Sequence, residues 1–203
     1  MLAVIPVILA YLICWMVTRP NKRRPWATRL CIALLAAAWL AFLPNTCYLL
    51  SEWRHFLPTG TFIELYLDWK EAGSKEAILK LFAHVLFYYC YSTFGILTFT
   101  AAIRPLARMA KSRHYPTELL AVPLFFLVST GVFLGLMKRL NSWDLVTNPH
   151  VVWGKIVVLL HRPWDLGFIA AFAVILWLVY LITDIWIDGF MLHWKKERVK
   201  SKG

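Results

Sequence analysis

Acidic residues are scarce in this sequence, with 11 Asp and Glu against 22 Lys and Arg in 203 residues. Charged residues total only 16%, where an ordinary soluble domain carries about 25%. Familiar catalytic signatures are missing as well. No CxxC, HExxH, GxSxG, P-loop or GxGxxG occurs. Zinc-protease, Walker-type and Rossmann chemistry therefore lack support, and no motif calls for a nucleotide cofactor. Cysteine is sparse, at 14, 31, 47 and 90. Only Cys47 falls near the outer face in the topology derived below, which excludes a disulfide framework.

What is present is apolar. Sixty per cent of the residues are hydrophobic and 16% are aromatic, yet the formal net charge is +11. Disordered chains are poor in aromatic and β-branched residues, so disorder is excluded. A nucleic-acid binder would account for the charge but not for the apolar excess. A single membrane domain over residues 1–203 accounts for both, if the positive residues gather at one surface.

The apolar runs bear this out. A helix crossing about 30 Å of hydrocarbon needs roughly 20 apolar residues, with a lower limit near 17. The expected fold is an all-α polytopic bundle of about five transmembrane helices. The spans fall near 2–18, 28–50, 78–103, 117–137 and 164–187, the second broken at Pro44. Two apolar stretches, 61–69 and 151–160, are too short to cross and read as interfacial or re-entrant.

Orientation follows from Lys and Arg near the span ends. Segments 19–29, 104–116 and the tail 188–203 hold 14 of the 22 positives. With five spans these three segments share one side, so the tail is cytoplasmic. The expected topology is N-terminus out and C-terminus in, in the cytoplasmic membrane. Most of the 11 Trp fall near span ends, where an amphipathic indole prefers to sit. Trp39 and Trp177 lie deeper and read as packing residues.

Polar residues cluster at the expected outer ends. The first cluster, FLPNTCYLLSEWRHF over 42–56, holds Pro44, Asn45, Glu52 and His55. Pro44 should break the helix, and Asn45 is placed to cap the freed carbonyls. Glu52 and His55 are spaced i, i+3 and share a helix face, which suits proton handling or a divalent metal. The second cluster, KRLNSWDLVTNP over 138–149, holds Arg139, Asn141, Trp143 and Asp144. It carries strong turn signals, and Arg139 with Asp144 offers a charge pair. Glu76, Lys80 and His84 form a stripe entering the third span, where an ionisable His84 is a functional candidate. Asp184 and Asp188 read as partners for Lys195 or Lys196. Gly131 and Gly135 let helices approach closely, either within the chain or as a homodimer face.

The two polar clusters resemble a known group. FLPNTCYLLSEWRHF is similar to the FPNAPY…TD..HL segment of the bacterial membrane proteins catalogued as domain of unknown function 1361. GVFLGLMKRLNSWDLVTNP, residues 131–149, resembles that family's YLGRFLRWNSWD segment. Here Ser51-Glu52 stands for the family's Thr-Asp, Thr46-Cys47 for its Ala-Pro, and Leu136 for its first Arg. The resemblance covers most of residues 25–185 and implies a fold class and candidate positions, with no activity attached.

Three functions stay open. One is an enzyme or binding protein for a lipid-linked or envelope substrate at the extracytoplasmic face. Glu52, His55, Asp144 and His84 would be its catalytic groups, the first three also its metal ligands. Asn45, Arg139, Asn141 and Trp143 would bind substrate. The second is a non-catalytic assembly or structural subunit of a membrane complex. The third is a small transporter lined by the broken second span. The expected partners are the lipid bilayer and a membrane protein or second copy of the chain, with no nucleic acid.

Overall fold

A computed structural model describes residues 2–19, 26–51, 60–140 and 142–200. Among the described residues the secondary structure is helical, with no strand. In lipid every backbone N–H needs an internal acceptor, so apolar runs of this length become helices. A 3-10 turn at Leu2–Val4 leads into α1 (Ile5–Thr18), then α2 (Trp26–Phe42) and α3 (Pro44–Ser51). There follow α4 (Gly60–Ala72), α5 (Lys75–Ser112), α6 (Thr117–Lys138) and α7 (Asp144–Thr147). The last two are α8 (Pro149–Leu160) and α9 (Pro163–Lys200).

Four helical stretches are long and apolar enough to cross a membrane: Trp26–Leu50, Lys75–Ser112, Thr117–Lys138 and Pro163–Arg198. The first expected span, Leu2–Thr18, is a shorter apolar helix. Its contacts show how far it runs. Its N-terminal turn lies against α3 and α5. At its other end Val17 O accepts from Arg113 Nη2 at 3.3 Å, beyond the C-terminus of α5. It thus extends from the α3 level to the basic end of α5. The stretches expected as interfacial are α4 and α8, of 13 and 12 residues, which are too short to cross. The helix α9 continues as far as Lys200, through most of the residues read as the tail.

Local signals set the helix ends. Ser74 Oγ accepts from Ala77 N at 3.2 Å and starts α5. Gly73, at φ 63, closes α4 just before it. Arg139, at φ 53, ends α6 in the left-handed region, and Leu140 N–H returns to Leu134 O at 3.3 Å. At about 1.5 Å per residue, the 38 residues of α5 reach about 57 Å and overrun the hydrocarbon.

The core lies where α1, α2, α3, α5, α6 and α9 meet. Leu43, Cys47, Phe99, Val128 and Leu176 are fully or almost fully buried there. Phe99 meets Phe125 edge-on with centroids 6.0 Å apart, and Phe125 meets Tyr180 at 5.7 Å. Trp39 is buried, and its indole donates to Ala102 O at 3.0 Å. Trp177, expected to pack inside, is 41% exposed instead, because its face of α9 turns outward. Ser129 Oγ donates to Ile169 O at 2.8 Å, tying α6 to α9.

The basic end of the bundle carries an ion-pair network. Arg104 Nε lies 3.0 Å from Asp184 Oδ1, and the Arg104 and Arg108 guanidiniums both meet Asp188. Asp184 and Asp188 were expected to pair with Lys195 or Lys196 on their own helix. Arginines of α5 take that place, because α5 and α9 run side by side with their C-terminal halves at the same end. Segments 104–116 and 188–200 therefore share one end, and Arg113 brings the end of α1 there too.

Candidate functional site

The site begins with the break between α2 and α3. Pro44 has no N–H to donate, so the α2 ladder stops at Leu43, whose N–H still reaches Trp39 O at 2.9 Å. The carbonyl of Leu43 is then met locally. Thr46 donates to it from its hydroxyl at 2.8 Å and from its N–H at 3.2 Å. Asn45 was expected to do this capping. Its side chain turns away instead, and Nδ2 donates to Ser142 Oγ at 3.0 Å. That bond joins the two polar clusters, 97 positions apart in sequence.

Three glycines let α3 sit this deep. A Cβ at Gly95 of α5 would lie 2.8 Å from Leu49 Cβ and 2.9 Å from Thr46 O. A Cβ at Gly131 of α6 would lie 2.6 Å from Pro44 Cγ, and one at Gly135 would run into the Tyr48 ring and hydroxyl. Tyr48 hydroxyl in turn donates to Gly131 O at 3.4 Å. Gly131 and Gly135 are thus filled by the chain's own α3. Of the two readings of this pair, close approach within the chain is the one the structure shows, with Pro44 and Tyr48 against the glycines.

Beside this joint lies a cavity of about 330 Å³. Its walls come from α2, α3, α6, α7 and α8, and include Ala37, Ala41, Leu127, Leu134, Val152 and Ile156. Its polar lining comes from Tyr48, Thr130 and Ser142. The cavity offers a long apolar surface with hydroxyls in its wall and, among the described residues, no carboxylate, imidazole or thiol. Lys155 Nζ donates to Lys138 O at 2.9 Å, which fixes α8 against the end of α6.

The remaining candidates fall as follows. Asp144 is the first residue of α7, half-buried and two positions from Ser142. Trp143 is exposed beside it. Arg139 is exposed, and no ion pair joins it to Asp144 among the described residues. The left-handed backbone at Arg139 ends the helix there. His84 is exposed, with Nδ1 2.8 Å from Lys80 O one turn back on its own helix. Lys80 pairs with Glu76 at 2.7 Å, so that stripe is a surface feature of α5. Glu52, His55 and Asn141 lie outside the described residues. Among the described residues no three His, Cys, Asp or Glu gather as a metal site.

Sequence reasoning missed Ser142 and Tyr48 as site residues. Both stand inside the two clusters, but hydroxyls in turn-rich sequence read first as local caps. No curated protein and no solved structure matches the chain. A family model does match, over residues 1–179, which includes the Pro44–Tyr48 segment, its three glycines and the Ser142–Asp144 turn. On that match the chain belongs to the family described as Protein of unknown function (DUF1361).

Proposed function

We propose that the chain binds a lipid-linked or other amphiphilic envelope substrate at the extracytoplasmic face of the cytoplasmic membrane. One observation carries this reading: an apolar cavity of about 330 Å³ opens beside the Asn45–Ser142 joint. Ligand sites are commonly about 300–1,000 Å³, apolar in the main, with a few placed polar groups. An acyl or prenyl tail suits the wall of Ala37, Ala41, Val152 and Ile156. A polar head then meets Tyr48, Ser142 and the turn that carries Trp143 and Asp144. The proposed orientation is N-terminus out and C-terminus in, which puts this end outside.

Chemistry at the head belongs to the same proposal. Asp144 with Glu52 and His55 supplies carboxylate and imidazole groups for proton transfer or a divalent metal. Glu52 follows directly on Ser51 at the end of α3. Arg139 and Asn141 serve an anionic head, and Arg suits phosphate through its planar fork. His84 lies on the exposed face of α5.

The experiment is mass spectrometry of lipid carried through purification. Ala41→Trp fills the cavity, whereas Gly154→Ala adds a methyl that meets nothing within 4 Å. Wild type and Gly154→Ala should carry a lipid species that Ala41→Trp lacks. The same lipids on all three would contradict the proposal.

A further inference from the structure

A second cavity, of about 550 Å³, lies at the opposite, basic end of the bundle between α2, α5, α6 and α9. Its depth is apolar, with Trp39, Leu124 and Phe125 in the wall. Leu120 and Trp177 are among its lining and are exposed, so it opens sideways along the lipid-facing surface. Its rim is charged with both signs. Arg104, Arg108, Asp184 and Asp188 neutralise one another in the network described above. That leaves Lys111 at the end of α5 and Glu118 at the start of α6, both exposed and both lining the cavity. Neither has an ion-pair partner among the described residues.

We infer that this cavity binds a phospholipid whose headgroup carries both a phosphate and a primary ammonium. The apolar depth takes an acyl chain. Lys111 meets the phosphate, and Glu118 accepts hydrogen bonds from the ammonium. A purely anionic head would leave Glu118 facing negative charge. A quaternary ammonium has no N–H to donate to the carboxylate. The charged residues of the lining, Arg108, Lys111, Glu118, Asp184 and Asp188, carry both signs, and Arg104, behind them in the ion-pair network, brings the sum to zero, which fits a zwitterion. This site is separate from the outer cavity and does not depend on the function proposed there.

The test is native mass spectrometry of the purified full chain with equal amounts of dioleoyl phosphatidylethanolamine, phosphatidylglycerol and phosphatidylcholine. Phosphatidylethanolamine should be retained in preference to the other two. Lys111→Gln and Glu118→Gln, both at exposed positions, should each lower its retention about fivefold, the effect of roughly 1 kcal/mol per interfacial charge. Ala121→Trp, which fills the cavity, should abolish the preference, while Ala41→Trp at the other end should leave it intact. Free phosphoethanolamine should fail to displace the lipid, because it leaves the apolar wall empty. Equal retention of phosphatidylglycerol, wild-type retention in both Gln variants, or displacement by the free headgroup would each overturn the assignment.

Discussion

At the scale of single residues, the glycines of α5 and α6 matter for what they leave room for. Gly135→Ala drives a methyl into Tyr48, so α3 must shift or Tyr48 must leave its rotamer. Overpacking of this kind costs about 1–3 kcal/mol. Thermal unfolding in detergent should show Gly135→Ala clearly destabilised and Gly154→Ala at or above wild type. Adding Tyr48→Ala to Gly135→Ala should give a loss smaller than the sum of the two single changes, because they share one contact. Additive losses would mean that the tyrosine and the glycine do not meet.

The Asn45–Ser142 bond is a second residue-scale case. Asn45 is buried, so removing its partner leaves a polar amide without a bond. Asn45→Ala and Ser142→Ala should each cost about 1 kcal/mol, with the double variant little worse than either single one. Full additivity in the same unfolding measurement would break the link between the two clusters. This bond was not legible in the sequence. Asn45 after a proline reads as a cap, and Ser142 between Asn141 and Trp143 reads as a turn. Nothing local encodes a partner 97 positions away.

At the scale of elements, the apolar runs and the Pro44 break were legible, because lipid forces helices and proline removes a donor. The pairing of helices was less so. Asp184 and Asp188 sit i, i+4 on a helix with nearby lysines, and same-helix pairing is the simplest expectation. The network instead crosses from α9 to α5 through Arg104, whose side chain is only 13% exposed. A sequence shows the spacing within a helix but not which neighbour lies against it. Likewise Gly131 and Gly135 mark a close approach without naming the helix that makes it. Asp184→Asn leaves Arg104 short of a counter-ion and should destabilise by about 1–3 kcal/mol, below the cost of breaking a fully buried pair. Exchanging the pair, Arg104→Asp with Asp184→Arg, should recover part of that loss. No loss on Asp184→Asn, read by unfolding in detergent, would make the pair incidental.

At the scale of the whole molecule, the charge imbalance and the cavities describe one polarised bundle. Contacts of Arg113 with Val17, and of Arg104 with Asp184, gather the basic segments at one end. The Asn45–Ser142 joint and its cavity occupy the other. By the positive-inside rule, the proposed direction of insertion puts the basic end in the cytoplasm. A reporter fused after Gly203 should be active on the cytoplasmic side. Activity only outside would invert the bundle and move the proposed site to the wrong face. The balance of charge was readable from the sequence, and so was the end of the molecule where function is proposed. The shape of the site was not, since its walls come from five helices and its hydroxyls from α3, α6 and the turn at Ser142.

The central claim is that the outer cavity holds an amphiphile, as opposed to a protein surface. A photoreactive amino acid placed at Leu145, which lines that cavity, tests it in living membranes. The account predicts an adduct of lipid mass on the irradiated protein, lost when Ala41→Trp fills the space. A protein-sized adduct with no lipid adduct would contradict it and make the cavity a docking surface for a membrane partner.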